Sequence, residues 1–103
     1  MIEKEREIQA AILTYLRVRR HFVWKQHNIG IKKPNGSYIP SNMLGVADIL
    51  GGEKGTGRII AIEVKRPGKK PSAAQEEFLE NVRAVGGIGF VAYSVDDVID
   101  NNL

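Results

Sequence analysis

Residues 58–66 (RIIAIEVKR) constrain the fold more than any other part of the chain. The run is rich in β-branched residues, which favour a strand, and it is too short to favour a helix. Its apolar residues are nearly continuous, as is typical of strands in sheets that are covered on both faces. The segment therefore predicts a central strand of an α/β protein, with helices packed on both sides.

The preceding segment, residues 45–52 (GVADILGG), predicts a second strand, and a turn bearing Gly55 and Gly57 separates the two segments. Two apolar runs joined by a glycine-bearing turn predict a β-hairpin. If the turn is centred between Gly55 and Thr56, the antiparallel register places Asp48 directly opposite Glu63.

Helices and further strands are predicted on both sides of this hairpin. Residues 2–20 have apolar residues at helical spacing, and residues 72–85 predict a helix that begins with a capping box of Ser72 and Gln75. Residues 22–24 and 88–94 predict short strands, and Ser94 is expected to cap a last helix, residues 95–101. The predicted order is α-β-β-β-α-β-α, with a central mixed β-sheet flanked by helices and a helical crossover between the third and fourth strands.

The sequence also predicts which residues are exposed and which are buried. Residues 27–42 (HNIGIKKPNGSYIPSN) are rich in Gly, Pro, Asn and Ser and predict a long basic loop. Tyr15, Trp24 and Phe90 are expected to lie in the core, because large aromatic side chains contribute much of the buried apolar area of a domain.

The composition indicates an ordinary globular protein. The 103 residues are 43% hydrophobic and 26% charged, which predicts a single domain over residues 1–103. The chain contains no cysteine, which excludes disulfides, thiolate zinc sites and cysteine nucleophiles. Because the N-terminus does not resemble a signal peptide and no apolar run approaches the length of a membrane span, we expect a cytoplasmic protein.

The positive charge is concentrated in two clusters. The net charge is +3, and basic residues lie at 32–33 and at 65–70. Clusters of this kind are typical of proteins that bind a polyanion, but solvated loops often carry them too. The charge pattern alone leaves both interpretations open.

The predicted hairpin brings together residues of interest for chemistry. Glu63 and Lys65 lie two residues apart on a strand and share one face, and Asp48 is predicted opposite Glu63. Two opposed carboxylates destabilise a sheet unless a cation lies between them. A divalent ion such as Mg²⁺ binds carboxylate and carbonyl oxygens at about 2.1 Å, so we expect Asp48, Glu63 and the carbonyl group of Val64 to form a metal site.

Lys65 would contribute a positive charge beside such a metal site. Its ammonium group could position or help to deprotonate an attacking water molecule, or stabilise negative charge on a phosphate. A divalent metal, a water molecule and a lysine are what phosphodiester hydrolysis needs.

GVADIL followed by IEVKR, with Gln75 on the downstream helix and EREIQ on the N-terminal helix, resembles the PD-(D/E)xK nuclease superfamily. More narrowly, the chain is similar over nearly its whole length to stand-alone VRR-NUC (virus-type replication-repair nuclease) domains, and more distantly to archaeal Holliday-junction resolvases. The resemblance implies a restriction-endonuclease-like fold. It also implies Mg²⁺ or Mn²⁺ bound by Asp48, Glu63 and the Val64 carbonyl, with Lys65 in the role of the family's lysine.

One position departs from the superfamily pattern. Ala47 stands where the pattern has a proline before the aspartate. That proline sets backbone geometry and carries no chemistry, so the role of Asp48 is unaffected.

The resemblance also implies a glutamate from the first helix, for which Glu3, Glu5 and Glu7 are available. Glu5 precedes Ile8 by three positions and therefore lies on the apolar face, whereas Glu7 points to the side, so Glu5 is the better candidate. The match of EREIQ to the resolvase pattern also favours Glu5.

Gln75 has two interpretations. It can cap the second helix with Ser72, and from the inward face of that helix it could also reach the attacking water or a phosphate. The two roles need not exclude each other.

These features together predict a metal-dependent DNA endonuclease that recognises shape, such as branched, flapped or Holliday-junction-like DNA. The phosphates would be gripped by Lys32, Lys33, Arg66, Lys69 and Lys70. By analogy with the resolvases we expect a homodimer, and the resemblance also suggests a phage origin. The alternatives are a non-catalytic nucleic-acid-binding module on the same fold and a sequence-specific enzyme of the restriction type.

Overall fold

The computed structural model describes residues 4–27, 31–32, 34–39 and 44–103. Helices alternate with strands along this part of the chain, and a mixed sheet lies at its centre. The elements are α1 (Glu5–Val18), β1 (Phe22–Lys25), β2 (Ile31–Lys32), β3 (Tyr38–Ile39), β4 (Ile49–Gly52), β5 (Ile59–Val64), α2 (Ala73–Ala84), β6 (Ile88–Ala92) and α3 (Val95–Asp100).

Four strands form the main sheet, in the order β1-β4-β5-β6. β4 is antiparallel to both β1 and β5, whereas β5 and β6 are parallel and are joined through α2. The prediction of an α/β fold with a mixed sheet, flanking helices and a helical crossover is therefore confirmed. Ile49 pairs with Ile62 and Gly52 pairs with Ile59, which is the register predicted for the hairpin.

The side chains of β5 alternate between two cores, as expected for a strand. Ile60, Ile62 and Val64 are buried in the core that α1 and α3 cover. Ala61 packs on the other face against Leu79 and Val82 of α2. Glu63 has the same parity as Ala61 and therefore lies on the face that α2 covers. Each fully buried isoleucine stabilises the fold by about 1.5–3 kcal/mol, so β5 is fixed firmly in place.

The predicted helix caps are present. Ser72 Oγ accepts a hydrogen bond from Gln75 N at 3.2 Å, and Gln75 Oε1 accepts one from Ser72 N at 2.8 Å. Ser94 Oγ accepts a hydrogen bond from Asp97 N at 3.4 Å at the start of α3. These side chains satisfy backbone groups that have no partner within the helix.

The prediction of a long loop over residues 27–42 is wrong in part. β2 and β3 form an antiparallel two-stranded ribbon around the turn at Asn35 and Gly36. Asn35 Oδ1 accepts a hydrogen bond from Ser37 N at 3.0 Å, and Gly36 has a φ of 89°. Asn-Gly is a strong hairpin signal, so the sequence did contain this turn.

Trp24 does not lie in the core, which contradicts the expectation for this residue. β1 is an edge strand, and Trp24 points away from the buried Val23 beside it, so 42% of Trp24 is exposed. Tyr15 and Phe90 do pack against the core, as predicted. No helix in the described ranges has both the length and the apolar character needed to cross a membrane.

Gly45 fixes the approach of the chain to the hairpin, and we expect Gly45→Ala to destabilise the protein by about 2 kcal/mol or more. Gly45 has a φ of 75°, and a Cβ atom there would overlap the backbone carbonyl oxygen of Ala74 in α2. Gly55→Ala is the matched control: Gly55 has a φ of 88° and open space around it, so only the backbone cost of about 1 kcal/mol applies. Urea denaturation measures both variants; equal losses of stability would contradict the contact with α2.

Candidate active site

Asp48 is held at the point where β4 begins. Its Oδ2 accepts a hydrogen bond from Val64 N at 2.8 Å, and its backbone carbonyl accepts one from Gln26 N at 2.7 Å. Asp48 is therefore fixed to β5 through its side chain and to β1 through its backbone. One step beyond the pair of Ile49 and Ile62, it lies opposite Glu63, as the hairpin register predicted.

Glu63 is a buried carboxylate that is only partly satisfied. The residue is 2% exposed. Its Oε1 accepts a hydrogen bond from Gln75 Nε2 at 2.9 Å and lies 3.6 Å from Lys65 Nζ. Its Oε2 is also buried, but no described residue gives it a hydrogen-bond partner. An unpartnered oxygen on a buried acid is costly unless a proton or a cation binds there.

The surroundings of Glu63 favour its neutral form. Burial raises the pKa of Glu63 from 4.5 to about 8, and the negative charge of Asp48 and a hydrogen bond that the protonated carboxyl group makes with Asp48 contribute in the same direction, while Lys65 partly opposes the rise. Desolvation and a neighbouring like charge both disfavour ionisation of a carboxyl group. In the absence of a cation, Glu63 therefore holds a proton well above the usual pH range of a glutamate.

Lys65 follows the end of β5 on the same side of the sheet as Glu63. Its backbone N–H donates to the carbonyl of Ala92 at 3.1 Å, which extends the pairing with β6 by one residue. Its side chain is only 17% exposed. The ammonium group is thus held beside Glu63 and keeps limited contact with solvent.

Gln75 connects the start of α2 to this site. Its predicted capping role is confirmed, because Oε1 accepts from the backbone of Ser72. The other end of the same amide, Nε2, donates to Glu63. Gln75 therefore reaches the site while it caps the helix, as the sequence allowed.

Glu5 is not brought to this cluster. It is the first residue of α1, and α1 packs against the opposite face of the sheet from Glu63. Within the described ranges, no three Asp, Glu or His side chains converge as a metal-binding group. The role of Glu5 stays a prediction, and Glu3 lies outside the described residues.

The second basic cluster forms an exposed turn directly after Lys65. Lys69 N donates to the carbonyl of Arg66 at 3.1 Å, and Arg66, Lys69 and Lys70 are all exposed. Tyr93 Oη donates to the carbonyl of Lys69 at 3.0 Å and anchors the turn to the end of β6. Tyr93 was not singled out from the sequence, because this contact depends on β5 and β6 lying side by side in the sheet.

Little of the first basic cluster lies within the described part of the chain. Lys33 lies outside the described residues, and so does the side chain of Lys32, whose backbone belongs to β2. The phosphate-binding role of both lysines stays a prediction.

Comparison of the sequence with models of protein families and with curated proteins gives no match. A functional assignment therefore depends on the residues of the site. What they offer is two adjacent carboxylates, one of them buried with a free oxygen, together with a lysine, an amide and an exposed basic turn.

Proposed function

We propose that this chain is a metal-dependent DNA endonuclease of the VRR-NUC type, within the PD-(D/E)xK superfamily. The observation that carries the proposal is Glu63, a buried acid that lies opposite Asp48 and has an oxygen without a hydrogen-bond partner among the described residues. Folding alone gives no reason to place a buried carboxylate against a second, partly exposed one. The arrangement of the two carboxylates is explained if the pair binds a cation.

The residues present fit a hard divalent ion. Asp48 and Glu63 supply carboxylate oxygens, which Mg²⁺ and Mn²⁺ prefer, and Glu63 Oε2 is free to bind. Asp48, Glu63 and the carbonyl oxygen of Val64 would hold the ion. When bound, such an ion polarises a phosphoryl oxygen and makes a water molecule more acidic.

The other side chains would orient the reactants. Gln75 binds Glu63 Oε1, so Oε2 is the oxygen of Glu63 that is left to bind an ion. Lys65, whose Nζ lies 3.6 Å from Glu63 Oε1, brings a positive charge to the place where a phosphate gains negative charge during hydrolysis.

The exposed turn that bears Arg66, Lys69 and Lys70 would contact the phosphates on either side of the scissile bond. Contacts of this kind position a nucleic acid but carry no information about base sequence. We therefore propose that the substrate is recognised by shape, as branched, flapped or Holliday-junction-like DNA, and that two copies of the chain pair their sites on it.

Cleavage of end-labelled linear duplex, flap and four-way-junction DNA in the presence of Mn²⁺ tests this function. We expect branched DNA to be cut, EDTA to stop the reaction, and Lys65→Ala to lower the rate by about 100-fold or more. Lys25→Ala is the matched control, because Lys25 is an exposed lysine of β1. It lies on the same face of the sheet as the buried Val23, which is the face opposite to Glu63. The Lys25→Ala variant should cut at the normal rate.

Three outcomes would contradict the proposal. Normal cleavage by Lys65→Ala would remove the lysine from the site. Salt-dependent DNA binding without cleavage would indicate a non-catalytic binding module, and fragments with fixed ends from plasmid DNA would indicate a sequence-specific enzyme.

A further inference from the structure

Two aromatic side chains of the edge strand β1 are exposed side by side. Phe22 is 76% exposed and Trp24 is 42% exposed. Their ring centroids lie 5.6 Å apart and the ring planes are tilted by 57°. Val23, between them, points to the opposite face and is buried, so the two rings share one face of the sheet. We call Phe22, Trp24 and the partly exposed Ile59 the aromatic patch.

The aromatic patch and the candidate active site lie on the same face of the sheet. Trp24 pairs with Leu50, which pairs with Ala61, and Glu63 follows Ala61 by two residues on β5. The path from Trp24 to Glu63 crosses the sheet by two strand spacings and follows β5 for two residues, which places the two Cα atoms about 12 Å apart. A bound strand of nucleic acid can extend over that distance.

α2 packs across β5 and β6 and covers this face there, so Ala61 is fully buried and Leu50 is partly buried. β1 lies at the opposite edge of the sheet, and the partly exposed Asp48 lies beside the end of β1, at the start of β4. A Cβ atom added at Gly52, which lies between Phe22 and Ile59 in the pairing, would meet no described atom within 4 Å. A flat ligand can therefore lie on the aromatic patch, and a strand bound there would approach the site along β1, from the side of Asp48.

The size of the aromatic patch favours a small flat ligand over a second protein surface. Its three side chains expose on the order of 300 Å², whereas a stable protein interface buries about 800 Å² on each partner. Aromatic rings stack on nucleobases regardless of their sequence. Lys54, exposed on the turn after Gly52 and without an ion-pair partner in the described ranges, adds a positive charge at the border.

We propose that Phe22 and Trp24 stack on unpaired bases of a DNA strand and direct that strand to the site at Asp48 and Glu63. The stacking stands on the aromatic patch itself, and only the delivery to the site rests on the proposed nuclease function. The aromatic patch would then select DNA with unpaired nucleotides beside the scissile phosphate, since stacked bases in a continuous duplex cannot reach the rings.

Trp24 is the only tryptophan of the chain, so its fluorescence reports directly on the aromatic patch. The full chain, without metal and with EDTA to prevent cleavage, is titrated with single-stranded oligodeoxythymidylate and with a blunt duplex of equal length. We expect the single strand to quench the emission to saturation, and the duplex to quench it much less.

Variants then test the two rings. With a labelled oligodeoxythymidylate and fluorescence anisotropy, Trp24→Ala and Phe22→Ala should each weaken binding by about 10-fold, whereas Trp24→Phe keeps a ring and most of the affinity. Ile99→Ala is the matched control, because Ile99 is 47% exposed on α3, on the opposite side of the sheet. It should bind normally.

Absence of quenching, equal quenching by the duplex, or normal binding by Trp24→Ala would overturn the stacking proposal. So would a DNA-free dimer that Trp24→Ala converts to a monomer in sedimentation, because the aromatic patch would then be a surface between copies. Quenching without cleavage of any substrate would reject the nuclease function and leave the stacking proposal intact. Cleavage without quenching would reject the stacking proposal and leave the nuclease function intact.

Discussion

Glu63→Gln is expected to abolish cleavage and, at the same time, to stabilise the metal-free protein at pH 8. The loss of activity follows from the loss of a negatively charged oxygen at the proposed metal site, and we expect it to be about 10³-fold or larger. The gain in stability follows from the burial of Glu63 opposite Asp48. A residue that matters only for folding would not change these two properties in opposite directions.

The sign of the stability change can be derived from the pKa of Glu63, which burial and the charge of Asp48 raise from 4.5 to about 8. A carboxyl group whose pKa is higher in the folded state stabilises the fold while it is protonated. That contribution is present below about pH 4.5 and is lost as the pH rises through about 8. Glutamine stays neutral at every pH, so the Glu63→Gln variant does not lose this stabilisation as the pH rises.

Urea denaturation in EDTA at pH 4.5, 6 and 8 measures this effect. The two proteins should be nearly equal at pH 4.5, and the variant should be more stable by a few kcal/mol at pH 8. Mn²⁺ should stabilise the natural protein at pH 8 but not the variant. Glu80→Gln changes an exposed acid of α2 and serves as the control. A variant that is less stable than the natural protein at pH 8 would contradict the buried charge.

Asp48→Asn is expected to keep the fold and to lose both metal binding and cleavage, with a rate decrease of about 10³-fold. The asparagine carbonyl can still accept the hydrogen bond from Val64 N that holds residue 48 against β5. The negative charge, however, is gone. Because that charge contributes to the raised pKa of Glu63, the loss of stability between acid and neutral pH should also become smaller.

Thermal denaturation with increasing Mn²⁺ measures the binding part of this prediction. The natural protein should show a Tm that rises with metal concentration, and Asp48→Asn should show a nearly constant Tm. Circular dichroism at low temperature checks that the fold is retained. Normal cleavage by this variant, or an equal rise in its Tm, would remove Asp48 from the metal site.

Local patterns in the sequence were sufficient to predict much of the fold and most of the candidate site. The turn at Gly55 fixed the register of β4 and β5, and that register alone brought Asp48 opposite Glu63. The capping box of Ser72 and Gln75 was likewise visible, because its members are three residues apart. Each of these features depends on neighbours in the chain or on one hairpin.

The turn at Asn35 and Gly36 was a local signal that the sequence analysis did not use, whereas the other errors concern contacts between distant parts of the chain. Trp24 was expected in the core, since its size suggests burial, but its exposure depends on the order of strands in the sheet and on where α2 packs. The free oxygen of Glu63 could not be predicted either, because it depends on which side chains surround that residue in three dimensions. Tyr93 binds the basic turn across a separation of 24 residues.

The four side chains of the candidate site all come from residues 48–75, one hairpin and the beginning of the helix that follows it. The candidate site is therefore encoded in a single continuous segment, while β1, with Phe22 and Trp24, and the β2–β3 ribbon are encoded outside it. If the proposed function holds, substitutions in those flanking segments would change which DNA is presented without disturbing the carboxylates. A change of substrate and a change of catalytic chemistry would then be separable steps for a protein built in this way.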